Sequence, residues 1–339
     1  MNKKILWGAG IAAGVIILAV ICIVIFTKKQ EPKGDLGTNP GPNGANVNKP
    51  SAEESIQQDI MLLTGIEGSP SGIAVMNGNV LLVTDTFHKT VWEIRDGKAS
   101  LIAGQSGPED AYGEPLGGYH DAPLSEARFQ KPWGVAKYLD GWAVSDSKNQ
   151  VIRYFDGQLV RTAAYKDSEK TLVNPTGLSS DDQGNLYIAD AGANAIYKMD
   201  QEGILTMVAD GFNAPNGVCY SNGKLYVADT GNHRICAIEN GLIQIVAGGK
   251  EGFRDGEVSQ SCFQNPQGVT VGEDGLIYVA DTGNSSIRVI KDGNVKTLLT
   301  CSNESTWPVA PIALTPYQGK LAVADQFSGV IFLMPYDKN

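Results

Sequence analysis

The sequence predicts an all-β fold, a six-bladed β-propeller, preceded by an N-terminal transmembrane helix. Three observations lead to this prediction: a phrase that recurs six times, a strand-like run before the first copy, and an uncharged stretch close to the N-terminus. The copies begin 40 to 62 residues apart. A unit of that size cannot bury its apolar faces alone, so neighbouring copies must stack. Six stacked copies can close a ring.

Each copy of the phrase has the same order of strands and turns. In the fourth copy, an apolar strand at residues 218–220 leads through an Asn-Gly turn into a second strand at 225–228, which ends at Asp229. Residues 234–239 and 242–247 supply a third and a fourth strand, so each unit is predicted to be a four-stranded meander. The copies begin at Pro70, Pro132, Pro175, Pro215, Pro266 and Pro311, and their second strands end at Asp85, Asp146, Asp190, Asp229, Asp281 and Asp325.

The last copy is incomplete, which bears on how the ring closes. It has predicted strands at residues 312–314, 321–324 and 330–334 but no fourth strand. An apolar run at residues 60–66 precedes the first copy and resembles the fourth strands of the others. This N-terminal strand is predicted to complete the sixth blade and remove its exposed edge. Residues 55–339 are therefore expected to form one propeller domain.

Residues 5–26 are predicted to be a membrane anchor. These 22 residues carry no charge, and as a helix they would extend about 33 Å, enough to cross a hydrocarbon core of about 30 Å. A cleaved signal peptide is the alternative. It is disfavoured because the apolar run is longer than the usual signal core and no small-residue cleavage site follows it.

The segments on either side of this stretch define the expected topology. Residues 27–54 are rich in Pro, Gly and Asn and are predicted to be a flexible linker. Lysines flank both ends of the apolar stretch, so charge does not set its orientation. The linker and the missing cleavage site favour a cytoplasmic N-terminus at residues 1–4. We therefore expect a single-pass protein of the cell membrane with an extracellular propeller.

Charge and cysteine content exclude several function classes. The formal charge is −10, and it becomes −14 without the six lysines and two acidic residues of positions 1–50. A domain this acidic is repelled by the phosphate backbone of nucleic acids. We therefore expect no nucleic-acid partner. The cysteines outside the apolar stretch form no CxxC pair and no metal-ligand spacing, and are interpreted as small buried apolar residues. We expect a monomeric propeller.

The second turns and the strings around them resemble the NHL repeat over about residues 60–335. The turns read DTFH, DSKN, DAGAN, DTGN, DTGN and DQFS, and two of them follow the strings LYVAD and IYVAD. Two longer stretches between units, at residues 118–135 and 252–269, are similar to the linker that this family often carries between blades. The resemblance implies a six-bladed propeller.

The openings of the six copies are predicted to line the mouth of the central channel. Their central residues are Ser71, Trp133, Thr176, Asn216, Gln267 and Ile312. Propellers similar to gluconolactonases hold a divalent metal at this place with carboxylate and Asn ligands, and related amidating lyases use His there. The set in this chain has one Asn but no carboxylate and no His. We therefore expect no catalytic residue, no metal and no cofactor.

The repeated aspartates and the three histidines are assigned structural roles. One Asp at the same strand end of every blade is what a turn requires, although paired carboxylates for acid–base chemistry are an alternative. His88 and His233 lie in second turns of different blades and His120 lies between blades, so no shared coordination shell is expected.

The preferred function is that of a noncatalytic binding or scaffolding module for a protein, peptide or glycan. Two alternatives stay open: a hydrolase or lyase of the gluconolactonase-like or amidating-lyase-like type, and a structural surface protein. An aromatic at the channel mouth, Trp133, can stack on a ligand or can simply plug the channel. The predicted binding residues on this rim are Ser71, Phe87, His88, Trp133, Lys148, Thr176, Asn216, Gln267 and Phe327.

Overall fold

A computed structural model describes residues 60–165, 171–300 and 308–337. These residues form six separate antiparallel sheets, and a meander of consecutive strands makes up all or most of each. None of their helices is long and apolar enough to cross a membrane. The predicted cytoplasmic segment at residues 1–4, anchor at 5–26 and linker at 27–54 lie outside the described residues.

The strands follow the six predicted units in chain order. After β1 (Met61–Gly65), the first blade contains β2 (Pro70–Asn77), β3 (Val80–Asp85), β4 (Thr90–Arg95) and β5 (Lys98–Ala103). The second contains β6 (Ala122–Pro123), β7 (Pro132–Tyr138), β8 (Gly141–Asp146), β9 (Val151–Phe155) and β10 (Leu159–Thr162). The third contains β11 (Pro175–Ser180), β12 (Leu186–Asp190), β13 (Ala195–Met199) and β14 (Leu205–Asp210).

The remaining blades repeat this order. The fourth contains β15 (Val218–Ser221), β16 (Lys224–Asp229), β17 (Arg234–Glu239) and β18 (Leu242–Gly248). The fifth contains β19 (Gly256–Glu257), β20 (Gly268–Val271), β21 (Ile277–Asp281), β22 (Ser286–Lys291) and β23 (Asn294–Thr300). The sixth contains β24 (Pro311–Tyr317), β25 (Lys320–Asp325) and β26 (Val330–Pro335).

The N-terminal strand closes the ring as predicted. β1 pairs antiparallel with β26, with Met61 opposite Leu333 and Gly65 opposite Val330, and the sixth sheet has the order β1-β26-β25-β24. The innermost strands contact one another round the axis, and β24 packs against β2. The all-β six-bladed propeller is therefore confirmed.

Close contacts between inner strands explain the Pro-x-Gly openings. A Cβ added to any of the five opening glycines would lie 2.3 to 2.6 Å from the carbonyl oxygen of the central residue of the next blade. No side chain fits such a gap, so glycine allows the inner strands to approach. The sixth opening has Ala313 at this position. The glycines are Gly72, Gly134, Gly177, Gly217 and Gly268.

The hydrophobic core lies between neighbouring blades. The second strands are the most deeply buried: β3, β8 and most of β25 are inaccessible. The cluster at the closure joins Leu81 and Val83 of the first blade to Ala322 and Ile331 of the sixth. Burial of a side chain of this kind contributes about 1.5–3 kcal/mol, so the interfaces between blades supply most of the stability.

The strand-end aspartates are fully buried and bind backbone N–H groups. Asp85, for example, accepts bonds from the N–H groups of Ser69, Phe87 and His88 at 2.9, 2.9 and 3.2 Å. Each carboxylate thus joins the opening of its blade to the second turn. The fifth residue of each turn then adopts a left-handed conformation, as His233 does with φ 53°. The turn role of the aspartates explains their recurrence.

The two long stretches between units form a structure that the sequence did not predict. Each adds a two-residue outer strand to its blade: β6 pairs with β10, and β19 pairs with β23. Each also covers a fully buried arginine, Arg153 or Arg288. The second and fifth blades consequently have five strands, where four were predicted.

Candidate functional site

A cavity of about 70 Å³ lies on the propeller axis where the inner strands begin. Five of the six predicted mouth residues line it, and the sixth, Thr176, does not. The lining also includes opening glycines and apolar residues of the inner strands. The five are Ser71, Trp133, Asn216, Gln267 and Ile312.

The hydroxyl groups of two predicted binding residues form hydrogen bonds between neighbouring blades. The Ser71 hydroxyl lies 3.2 Å from the Pro132 carbonyl oxygen and 3.1 Å from the Thr84 hydroxyl. The Thr176 hydroxyl bonds the Asn216 carbonyl oxygen at 3.1 Å. Both residues are 3% exposed. Their hydroxyl groups therefore fasten neighbouring inner strands together.

Trp133 crosses the mouth of the channel. Its indole Nε1 donates to Oδ1 of Asn216 at 3.0 Å, a bond from the second blade to the fourth. Its ring packs against the apolar cluster that contains Ile73 and Ile312. Three contacts from different blades thus hold a half-buried aromatic ring in one orientation, as a binding platform requires.

Two amide groups complete the polar lining. Asn216 and Gln267 are half-buried, and Asn216 accepts the Trp133 bond through its oxygen. Within the described residues, the nitrogen of the Asn216 amide and both amide atoms of Gln267 have no hydrogen-bond partner. These groups remain available to a ligand at the mouth.

Lys131 is a candidate residue that the sequence reasoning missed. Its ammonium group lies 4.5 Å from the centroid of the Trp133 ring, a cation–π contact. Partial removal from water, together with repulsion from Lys89 and Lys148, lowers the pKa of Lys131 below its usual value. One signal was present in the sequence: at this place before the opening, the other blades have Ser69, Asn174, Ala214, Asn265 and Ala310.

The other predicted rim residues lie in the second turns of the first, second and sixth blades. Phe327 is 76% exposed and Phe87 is 39% exposed. Phe87 contacts the ring of His88 edge to face, and Nδ1 of His88 lies 2.8 Å from Oδ2 of Asp85. Lys148 is exposed. Phe87, Lys148 and Phe327 take the place that Gly231 and Gly283 have in the regular turns.

The donor atoms at the mouth do not fit a divalent cation. The lining offers amides and hydroxyl groups but no carboxylate and no imidazole, and the Lys131 ammonium group stands beside it. Across residues 60–165, 171–300 and 308–337, no three His, Cys, Asp or Glu side chains are grouped to hold a metal. A hard cation needs several oxygen ligands with charge, which this mouth lacks.

The buried acids and thiols lie outside the cavity and have structural surroundings of their own. Burial raises the pKa of Asp146 and Asp281, while bonds from backbone N–H groups and from side chains oppose that rise. Cys219, Cys236 and Cys262 are free thiols, and the first two pack among apolar residues. Burial also raises the pKa of Cys236 to about 11, so its thiol stays neutral. None of these groups faces the cavity.

Comparisons with known proteins identify the relatives of this propeller. Residues 67–303 match the model of the SMP-30/gluconolactonase/LRE-like region. The chain is 29% identical over 205 residues to Protein SUPPRESSOR OF QUENCHING 1, chloroplastic, of Arabidopsis thaliana, covering 52% of this chain and 19% of that protein. It is 47% identical over 75 residues to NHL repeat-containing protein 2 of Bos taurus, covering 22% of this chain and 10% of that protein.

The matches span a fifth or less of these relatives' lengths. The second match supports the NHL-like character of the repeats. Among solved structures, a gluconolactonase from Xanthomonas campestris superposes with a TM-score of 0.61 at 18% identity, covering 85% of this chain and 93% of that chain. At this identity the similarity shows the fold alone.

Proposed function

We propose that the propeller of this chain, which belongs to the SMP-30/gluconolactonase/LRE-like family, is a noncatalytic binding or scaffolding module. The partner, a protein, peptide or glycan, docks on the rim that carries the blade openings and second turns. The contact is centred on Trp133. No nucleic acid takes part, and the propeller acts as a monomer.

The observation that carries this proposal is the chemistry of the channel mouth. An aromatic ring fixed by Asn216 stands where gluconolactonase-like enzymes need metal ligands, and a lysine contacts its face. Such a mouth can stack against a ligand and donate hydrogen bonds, but it cannot hold a cation that activates water. Recognition is the chemistry that these groups support.

Exposed aromatic residues extend the surface beyond the mouth. Phe327 and Phe87 occupy the third position of their second turns, where the regular turns have glycine, and their rings are exposed. Exposed rings reduce solubility unless a partner covers them. The rim of the first, second and sixth blades, which are neighbours in the closed ring, is thus the sector that we assign to the partner.

A capture experiment with full-length protein tests this assignment. Replacing Phe87, Trp133 and Phe327 by Ala should weaken capture of a partner from surface extracts in a variant that still unfolds cooperatively. Loss of the Trp133 contacts should lower its melting temperature only in part. The matched control replaces Leu101, Met207 and Leu242, exposed residues on outer strands, and should retain capture. Equal capture by both triple variants would remove the case for this rim.

We also place the propeller outside the cell, tethered by residues 27–54 to a single-pass anchor at residues 5–26. Protease added to intact cells should digest an epitope placed after Asn339. Full protection of the epitope would contradict this topology. Failure of this test would leave the binding proposal standing, because the rim does not depend on the anchor.

Enzymatic activity is the second candidate function, and family membership favours it. A hydrolase of the gluconolactonase type would need a bound divalent metal and a measurable turnover of lactones. Purified protein should contain less than one tenth of an equivalent of metal and show no lactone hydrolysis above the uncatalysed rate. A stoichiometric metal together with turnover would establish an enzyme instead. Failure to capture any partner would favour a structural surface role.

A further inference from the structure

Three lysines gather beside Trp133 on the rim. Lys89 comes from the second turn of the first blade, Lys131 from the opening of the second, and Lys148 from the second turn of the second. Lys89 and Lys148 are both close enough to Lys131 to repel its charge. In a chain of formal charge −10, this is a local concentration of positive charge.

The three lysines differ in their partners. The Lys89 ammonium group is buried, donates to the Thr86 carbonyl oxygen at 2.8 Å and pairs with Glu114 at 3.0 Å. Among the described residues, no carboxylate lies within ion-pair distance of Lys131 or Lys148. The charge of Lys89 is thus paired within the protein, whereas those of Lys131 and Lys148 have no ion-pair partner among the described residues.

The position of Lys131 favours the binding of an anion, in addition to the repulsion among the three lysines. Its ammonium group is held over the face of Trp133, which also lines the cavity. Trp133, Asn216 and Gln267 line the cavity, and Lys131 stands beside it through its contact with the indole ring. A negative group there would relieve the repulsion among the lysines and gain charge-assisted hydrogen bonds.

The cavity admits a small anionic group. Its volume of about 70 Å³ exceeds the space that one water molecule needs. A carboxylate group fits into it and can accept hydrogen bonds from the amide nitrogens. The ligand that suits such a site is a carboxylate that reaches in from a chain lying on the rim.

We propose that this rim binds an acidic peptide segment of a partner protein, with a Glu or Asp carboxylate between Lys131, Lys148 and the cavity amides. This inference rests on the proposed binding function and narrows its partner. The negative charge of the rest of the propeller does not prevent such contact, because ions screen exposed charges beyond about 8 Å at physiological salt. Binding should accordingly weaken as salt is raised.

Fluorescence anisotropy with two labelled hexapeptides tests the inference on the full-length chain. One peptide consists of six Glu residues and the matched peptide of six Gln residues. The Glu peptide should bind at least about tenfold more tightly, because each hydrogen bond to a charged group contributes more than a neutral one. The double variant Lys131→Gln and Lys148→Gln should lose about tenfold in affinity for the Glu peptide and show no change for the Gln peptide.

A second double variant controls for total charge. Lys98 and Lys137 are exposed, at the start of β5 and near the end of β7, and their replacement by Gln removes the same charge at the ends of these strands away from the rim. This control should keep the affinity of the natural protein. Equal affinity for both hexapeptides, or equal losses in both double variants, would overturn the carboxylate site. Partner capture that persists in the Lys131 and Lys148 variant would also overturn it and leave the proposed binding function intact.

Discussion

The second and fifth blades have the same buried frame, which consists of the outer strand and the buried arginine with its partners, and they differ at the rim. Each has a two-residue outer strand from the preceding linker and an arginine with no exposed surface. The Arg153 guanidinium lies between the rings of Tyr119 and Phe129, and that of Arg288 lies between Phe253 and Phe263. The same linker pattern thus produces the same buried structure at two places in the chain.

At the rim the two blades diverge completely. The second has Trp133, Lys131 and Lys148 where the fifth has Gln267, Asn265 and Gly283. The frame is fixed because every buried donor and acceptor needs its partner. The rim side chains make fewer such bonds: that of Trp133 gives one to Asn216, and those of Lys131 and Lys148 are exposed. They can therefore differ at less cost to the fold. The comparison separates the parts that hold the blade from the parts that recognise a ligand.

The largest effect is expected from breaking the frame. Arg288 donates to two carboxylates and two carbonyl oxygens, with Nη1 2.6 Å from Oδ2 of Asp281. Arg288→Met would leave the buried Asp281 without its ion pair and should lower the free energy of unfolding by about 3–5 kcal/mol. Denaturant unfolding measures this change.

Arg153 provides the matched comparison. It lies 3.5 Å from Asp146, and its Nε has no partner within the described residues. Arg153→Met should therefore cost less than Arg288→Met. A greater loss for Arg153→Met would contradict the view that completed hydrogen bonds set the stability of each frame.

A smaller loss is expected at the opening glycines of the same blades. A Cβ at Gly134 would lie 2.4 Å from the Thr176 carbonyl oxygen, and one at Gly268 would lie 2.6 Å from that of Ile312. Each Gly→Ala change should destabilise the propeller by about 1–3 kcal/mol through overpacking. Gly78→Ala is the control, since nothing lies within 4 Å of its added Cβ. Thermal melts that are alike for all three variants would exclude tight packing of the inner strands.

The pH dependence of binding probes the rim of the second blade. Partial burial and the neighbouring Lys89 and Lys148 lower the pKa of Lys131. Its positive charge is therefore lost at a lower pH than that of an ordinary lysine. Affinity for the six-Glu peptide should fall a few-fold as the solution becomes alkaline. The Lys131→Arg variant, whose charge does not titrate in this range, should hold its affinity longer. Identical pH profiles would exclude a role for Lys131.

The smallest effect concerns the left-handed residues of the second turns. Gln150 has φ 63°, and its side chain is exposed. Gln150→Gly should raise the free energy of unfolding by about 0.5 kcal/mol, because glycine adopts this conformation without strain. Ser285 has φ 50° in the fifth blade, and its hydroxyl donates to the Val309 carbonyl oxygen at 2.6 Å. Ser285→Gly should therefore bring no gain, and a gain there would mean that the hydroxyl bond contributes nothing.

The sequence predicted the parts of the fold that depend on local pattern. Alternation and turn residues located the strands of the fourth blade to within one residue at each end, and the unpaired run at residues 60–66 predicted closure. The outer strands β6 and β19 were missed because two residues carry no periodicity. The buried arginines were missed because their partners lie between 7 and 34 residues away.

Predictions at the site succeeded less evenly for a related reason. Equivalent positions in the repeat located the cavity lining. They could not show that the hydroxyl groups of Ser71 and Thr176 donate hydrogen bonds to carbonyl oxygens of the next blade. The bond from Trp133 to Asn216 joins residues 83 positions apart, and no pattern announces it. Lys131 differs from its equivalents in the other blades, but its contact with the indole ring shows why that difference matters.

A graft between the two blades tests the central claim most directly. The triple variant Lys131→Asn, Trp133→Gln and Lys148→Gly gives the second blade the rim of the fifth and leaves its frame untouched. We predict that partner capture and binding of the six-Glu peptide are lost while the melting temperature changes by less than about 4 °C, the shift that roughly 2 kcal/mol gives in a domain of this size. Retained capture and peptide binding in a stably folded variant would contradict the claim that this rim is the recognition surface.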